Sequence, residues 1–459
     1  MVRAPWPVLI MTKGEKRSSG CQRSMKFHSS RFHRLITVSL VAIVLVLPAC
    51  RSGPTFNPPV PFETRQVETQ TAQGRATATA TSVAEATPPA TATPAAATPT
   101  PTTQASQPSP TPTSLPFMTS PDYGIQAFLW WRPEVATRDL GLIKDMGFRW
   151  VKQIFAWADI EGAGKGSFDW SKADAVVQHA NDEDYQIKIL ARVDRAPAWT
   201  GATPPNGPPN NYQDFGDFCY ALASRYKGRI HAYQIWNEPN LAREWGDRRP
   251  NPEEYVRMLS IAYRRIKEAD PQALVISAGL TPTATRSEEA MPDDEYLDLM
   301  YQAGFQNYCD LVGLHAAGFK APPELSPDEL LADPGLQYGD QRFFCFRHVE
   351  DMRKIMEKHG DAERQVAILE FGWTIDPRPE SPYHWHAITE EQQAEYMVRA
   401  YQYAKEHWRP WIGLMNLIYI ADPYWTKERE EYWWAITRPN YPTAWVRPAY
   451  DALRAMPKD

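Results

Sequence analysis

His231-Ala232-Tyr233-Gln234-Ile235-Trp236 runs directly into Asn237-Glu238-Pro239-Asn240. The first six residues are mostly apolar or aromatic and read as a buried strand; the turn that follows opens on a carboxylate and a proline. A helical pattern comes next. Pro252-Glu253-Glu254-Tyr255 starts it, Val256, Leu259, Ala262, Tyr263 and Ile266 form its apolar face, and Asp270-Pro271 stops it.

The same strand, loop and helix unit recurs on either side. Apolar runs at Tyr123–Phe128, Trp150–Phe155, Gln186–Leu190, Ala273–Ala278, Asp310–Leu314, Gln365–Leu369 and Trp411–Ile418 read as further buried strands. Amphipathic stretches lie between them. One opens at Thr137-Arg138-Asp139-Leu140, and another covers Glu390–Lys405. Eight strands, each followed by helical sequence, in about 340 residues predict an α/β chain closed as a (β/α)8 TIM barrel over 117–459. A doubly wound open sheet is the competitor, but no glycine-rich phosphate turn follows the first strand.

Ahead of the barrel the composition changes twice. Arg31, His33 and Arg34 precede an apolar run from Leu35 to Leu47, the length of a signal core and short for a membrane-spanning helix. The run ends in Leu47-Pro48-Ala49-Cys50, which resembles a bacterial lipoprotein box with an unusual proline. Residues 1–50 are therefore expected to be a signal segment, with Cys50 lipidated and anchoring the chain to a membrane outside the cytoplasm. Met25 would give a leader of more ordinary length. Residues 51–116 are Thr, Pro, Ala and Ser with few large apolar side chains, a composition that cannot offset its ordering entropy. They are expected to form a disordered linker, reaching at most ~200 Å at ~3.1 Å per residue.

Composition narrows the partners. A net charge of −6 gives no footprint for nucleic acid. The 17 Trp and 21 Tyr suit either a large aromatic core or a cleft that stacks the flat faces of sugars. Cys21, Cys50, Cys219, Cys309 and Cys345 fit no metal-site spacing, and no cofactor is implied. A Cys219–Cys309 or Cys309–Cys345 bridge is left open.

Barrel chemistry sits where strands end. Two strand ends present a carboxylate in apolar, aromatic surroundings: Glu238 on the fourth, and Glu370 in Ala367-Ile368-Leu369-Glu370-Phe371-Gly372-Trp373 on the seventh. Those strands face each other across the barrel mouth. Cleaving a glycosidic bond needs two such groups, one to protonate the leaving oxygen and one to attack or to activate water.

With these residues in hand, the domain resembles the clan A glycoside hydrolases, the 4/7 superfamily, and within it the family 39 and family 5 type barrels. Tyr123–Trp131, Trp157-Ala158-Asp159-Ile160-Glu161, Gly166-Ser167-Phe168-Asp169-Trp170 and Ala196-Pro197-Ala198-Trp199 carry the resemblance alongside the two strand ends. It implies a retaining hydrolase of oligo- or polysaccharides, with Glu238 as acid/base and Glu370 as nucleophile. It implies that Asn237 meets the sugar 2-hydroxyl, unless it caps the next helix, and that His315 stands beside the nucleophile. Trp157, Trp199 and Trp373 become candidate sugar platforms. Tyr419 and Trp425 compete for the wall that the clan builds with a strand-eight Trp, while Asp159, Glu161 and Asp194 could meet hydroxyls. Lys152 stands where the clan often has an Arg that keeps the nucleophile ionised, and Arg192 could restore the missing guanidinium. The retaining geometry predicts carboxyl groups ~5–5.5 Å apart. The alternative is a tethered carbohydrate-binding barrel without turnover.

Overall fold

The computed structural model describes residues 118–332, 338–440 and 444–458. The expected signal segment, the linker and Cys50 lie outside the described residues. Eight parallel strands form one sheet: β1 (Asp122–Gln126), β2 (Trp150–Ala156), β3 (Lys188–Asp194), β4 (Ala232–Ile235), β5 (Leu274–Ile276), β6 (Val312–Ala317), β7 (Val366–Gly372) and β8 (Ile412–Leu417). Consecutive strands pair except β5 with β6, and β1 pairs with β8. The remaining gap, between β5 and β6, is closed by isolated parallel bridges, Ile276 to Leu311 and Leu280 to Leu314. The sheet is a barrel, not an open sheet.

A helix follows every strand: α1 (Pro133–Asp145), α2 (Ser171–Asn181), α3 (Tyr212–Arg225), α4 (Pro252–Ala269), α5 (Asp293–Gln302), α6 (Val349–Lys358), α7 (Glu390–His407) and α8 (Pro448–Ala455). Their starts are chemically marked. The Asn251 side chain accepts from Glu254 N at 3.1 Å at the head of α4, and Thr389 and Gln392 form a reciprocal capping box at the head of α7. α1 begins four residues before the expected Thr137, because Pro133 suits the first helical position and needs no donor there.

Two apolar layers result. The outer one packs helices on the barrel wall through residues such as Val151, Tyr233, Ile235, Ile368 and Phe371. The inner one fills the barrel with Trp150, Leu190, Ala232, Ile276, Leu369 and Leu414, among others. Cys219, Cys309 and Cys345 are buried free thiols, so neither bridge forms. No helix among the described residues is long and apolar enough to cross a membrane.

Candidate active site

The mouth of the barrel is built where the strands leave their regular alternation. On β4, Ala232 and Gln234 face inward while Tyr233 and Ile235 pack outward. Trp236 then takes φ +70° and Glu238 φ +44°, left-handed conformations that cost side-chain-bearing residues of order 1–3 kcal/mol and cluster at functional sites. The first turns the Trp236 indole outward against Trp245, its Nε1 donating to Glu244 O at 2.8 Å. The second aims the Glu238 carboxylate into the barrel, with Glu238 N donating to Gly279 O at 3.0 Å.

On β7 the device is a bulge. Ala367 and Leu369 point into the barrel, so simple alternation would send Glu370 outward. The register with β6 shifts between Leu314 and His315, pairing His315 with Glu370 and reversing the phase. Glu370 therefore faces inward and Phe371 outward. The two carboxylates, 0% and 1% exposed, meet across His315: Nδ1 lies 3.0 Å from Glu238 Oε1 and 3.9 Å from Glu370 Oε2. One oxygen of each carboxylate and one His315 nitrogen fall within 4.8 Å of one another. Gly279 is required beneath this contact, since a Cβ there would collide with the His315 ring.

The charges are asymmetric. Lys152 Nζ donates to Glu370 Oε1 at 2.7 Å and to Leu369 O at 3.1 Å, and Arg192 Nη1 lies 3.8 Å from the same Glu370 oxygen. Burial opposes ionisation of Glu370, but Lys152, His315 and Arg192 outweigh it and hold the carboxyl well below its usual range. Burial pulls the Lys152 ammonium below its usual value, with Glu370 opposing that pull. Among the hydrogen bonds described, no ammonium donates to Glu238 as Lys152 does to Glu370. Glu238 Oε2 makes no hydrogen bond with any described residue and faces Arg243 Nη2 at 3.5 Å.

Other expected residues divide. Asn237 is at the site, and Asn251, not Asn237, caps α4; the Asn237 Oδ1 accepts from Gln234 Nε2 at 3.0 Å. Tyr419 stands against the carboxylates. Burial and the negative charges of Glu370, Glu431, Glu430 and Glu238 push its phenol well up, and its ring meets Trp425 edge-on at 5.1 Å. Trp199 keeps a partly open indole tied to Glu161 O at 2.6 Å.

Other candidate residues meet partners within the fold. Trp157 is fully buried and stacks on Phe218, and Trp373 is fully buried against Phe346 and Tyr396, so neither has a face left for a sugar. Lys152 stands beside the nucleophile as expected, buried with its ammonium on Glu370 and Leu369, so it is a partner of the carboxylate and not of a ligand. Glu161 closes its own loop, accepting from Trp157 Nε1 and Gly166 N. Asp194 pairs with Arg192 at 2.6 Å, whereas Asp159 accepts from Trp130 Nε1 at 3.0 Å and keeps an exposed carboxylate.

Three charged residues at the mouth carried no sequence signal. Arg243 bridges Glu238 and Glu244, the latter at 3.7 Å. Burial, with the Glu238 charge added, pushes the Glu244 carboxyl up to about 7. Glu430 is buried beside Tyr383, and burial holds its carboxyl well above the usual range. Arg243 and Glu244 lie in the 3-10 turn Ala242–Glu244 and Glu430 at the head of the short helix Glu431–Trp434, elements too short for periodicity to distinguish a mouth residue from a solvated one.

Glu238, His315 and Glu370 are also the one set among the described residues close enough to share a metal ion. A dication there would compete with the ammonium and guanidinium already on Glu370, which disfavours it electrostatically.

Residues 126–215 match the glycoside hydrolase family 42 description, beta-galactosidase. A beta-xylosidase of Geobacillus stearothermophilus is 24% identical over 209 residues, 39% of this chain and 38% of that protein. A family 39 glycoside hydrolase from Bacteroides cellulosilyticus WH2 superposes with a TM-score of 0.53 at 18% identity, covering 73% of this chain and 63% of the other. The resemblance to the clan A barrels holds. A family 39 enzyme from Xanthomonas axonopodis pv. citri gives 0.50 at 15% identity, over 74% and 67%. The chain thus spans about four-tenths of the xylosidase and less than two-thirds of the Bacteroides protein.

Proposed function

We propose that the barrel hydrolyses β-linked glycosides with retention of configuration, Glu370 acting as nucleophile and Glu238 as acid/base. One observation carries the reading. Two buried carboxylates from β4 and β7 meet with oxygens within 4.8 Å, one clamped by cations and the other holding an oxygen without a hydrogen bond. Oxygens that close accord with the ~5–5.5 Å between carboxyl groups of retaining enzymes better than with the ~6.5–9.5 Å of inverting ones.

The reaction runs in two displacements. Glu370, kept ionised by Lys152 and Arg192, attacks the anomeric carbon while protonated Glu238 gives its proton to the departing glycosidic oxygen. The glycosyl ester on Glu370 is then attacked by water, whose proton passes to Glu238 as the ester bond breaks and frees Glu370. His315 fixes both carboxylates through one ring nitrogen, and Asn237 offers its amide donor to the sugar 2-hydroxyl. Glu430 and Tyr419 line the same mouth; a protonated Glu430 can donate to one sugar hydroxyl and accept from another. The relatives named for β-galactosides and β-xylosides support a β-linked sugar as substrate.

The test is turnover of a panel of aryl β-glycosides by the full chain, Glu238→Ala and Glu370→Ala. Loss in both variants is expected, with the anomeric configuration of the first product retained when followed by NMR. Azide should rescue Glu370→Ala with an inverted glycosyl azide and Glu238→Ala with a retained one. Binding of sugars without turnover in the parent would instead leave a tethered carbohydrate-binding barrel.

We infer further that the chain is exported, lipidated at Cys50 and held to a membrane by the Thr/Pro/Ala-rich segment 51–116, with its oligo- or polysaccharide substrate outside the cytoplasm. Labelled palmitate should enter the full chain and not Cys50→Ala; equal labelling of both would refute the anchor.

A further inference from the structure

Outside the carboxylate cluster, two aromatic side chains are held in place without being buried. Trp131, on the loop after β1, is 51% exposed, and Tyr424, on the loop after β8, is 58% exposed. Lone exposed aromatics are ordinary and mobile, but these two are fixed. Trp131 Nε1 donates to Asp422 Oδ2 at 2.9 Å, and Tyr424 N donates to the other oxygen of that carboxylate at 2.8 Å. Arg132 Nη2 donates to the Tyr424 hydroxyl at 2.8 Å. Asp422 is itself buried, so the anchor belongs to the fold. The rings stand at 87° with centroids 6.4 Å apart, forming a corner. Lys172 lies 5.6 Å over Trp131 and Arg132 5.5 Å over Tyr424, and Asp159 lies 4.0 Å from Lys172.

A flat apolar face edged by charged donors and acceptors is complementary to a pyranose ring, which has an apolar C–H face and a rim of hydroxyls. Holding the side chains in place beforehand removes the ordering cost that a ligand would otherwise meet. The corner is also continuous with the mouth. Trp425 N donates to Asp422 O at 3.1 Å, and the Trp425 ring packs on Phe128 at 4.9 Å and on Tyr419 at 5.1 Å, beside the carboxylates.

We propose that Trp131 and Tyr424 form an outer sugar subsite, stacking a ring of the substrate remote from the bond that is cut. The substrate is then a chain of several β-linked sugars, and binding at this corner helps drive the chemistry at Glu370. The inference rests on the glycosidase reading above for its catalytic consequence, but the stacking itself is separable.

Two measurements on the full chain separate them. The first compares kcat/KM on 4-nitrophenyl β-xyloside and β-galactoside with that on β-1,4-xylohexaose and β-1,4-galactohexaose, for the parent, Trp131→Ala, Tyr424→Ala and Trp131→Phe. Each alanine variant should stay within about twofold on the aryl glycosides and lose tenfold or more on the hexasaccharide that the parent prefers, with Trp131→Phe recovering part of the loss. Equal effects on short and long substrates, or none on either, would overturn the subsite. The second titrates the hexasaccharides into Glu370→Gln with and without Trp131→Ala. Unimpaired turnover by Glu370→Gln would sink the catalytic reading alone, whereas hexasaccharide binding unchanged by Trp131→Ala, or absent from both, would sink the subsite.

Discussion

Two neighbouring layers inside the barrel differ by one pleat and have opposite chemistry. The lower layer is apolar: Trp150, Leu190, Ala232 and Leu414 close the barrel as a dry plug. Two residues further along the same strands stand Lys152, Arg192, Gln234 and Asn416, all buried and all polar. Burying such groups costs several kcal/mol unless partners meet them. Lys152 and Arg192 find Glu370, Gln234 finds Asn237, and the Asn416 amide donates to Leu369 O at 3.2 Å. The plug supports the fold and the polar layer supports the chemistry. A strand can carry both because its side-chain period is two, so a two-residue step moves deeper or shallower without changing face.

Substitutions can break that contrast. The largest effect is expected for Glu370→Ala, a loss of about ten-thousandfold or more in kcat on an aryl β-glycoside, since no neighbouring group can replace an attacking carboxylate. Next comes Lys152→Met, with a fall of about a hundred- to a thousandfold in kcat/KM. Its signature is the pH profile. Glu370 is held low and is ionised well into the acid range; without Lys152, burial dominates and the carboxyl rises, so the acid limb of kcat/KM should move to higher pH. An unmoved limb would mean that Lys152 only fills space. By linkage, the depressed carboxyl also contributes stability above its unfolded pKa that is lost as pH falls through the folded value, so parent and variant should converge in stability at low pH.

In the lower layer the expectation reverses. Leu414→Asn should cost about 3 kcal/mol in denaturant unfolding, through a cavity and an unpaired amide, while activity per folded molecule changes little. Gly279→Ala sits between the layers. Its Cβ meets the His315 ring, and a roughly tenfold drop in kcat/KM should accompany a melting shift equivalent to about 1 kcal/mol. The smallest change in stability, within about 1 kcal/mol, is expected for Asn416→Leu, which removes a buried Oδ1 that has no partner among the described residues. If Leu414→Asn and Asn416→Leu proved equally destabilising, the layers would not be chemically distinct.

The barrel was legible because its apolar runs are buried on both faces and its helices announce themselves by period and cap. All eight expected strands are present, with β3 extending further than its apolar run suggested. The extension is where the difficulty lies: Arg192 and Asp194 are still in the strand, but their charge makes the sequence read as its end. Glu238 and Glu370 were readable as strand-end carboxylates. Their inward aim was not, because one depends on a left-handed backbone and the other on a bulge, and neither has a periodic mark. Tryptophan misled in both directions. Trp157 and Trp373 supply bulk to the wall, while Trp131, in a stretch quoted only for its resemblance, is exposed. Which side of the wall an indole faces is decided by tertiary packing.

The β5–β6 seam has a consequence for motion. The β2–β3 ladder, by contrast, runs unbroken from Trp150–Lys188 to Ala156–Asp194. At β5–β6 the closure rests on isolated bridges beside a three-residue strand. Amide protons there should exchange with solvent sooner than those of β2 and β3, through local openings that leave the rest of the wall intact. Gly279 and His315 flank that seam, with His315 N donating to Leu280 O at 3.3 Å. Each opening therefore loosens His315, which reaches both carboxylates, and a sugar that ties β4 to β7 through the mouth should slow exchange along the seam.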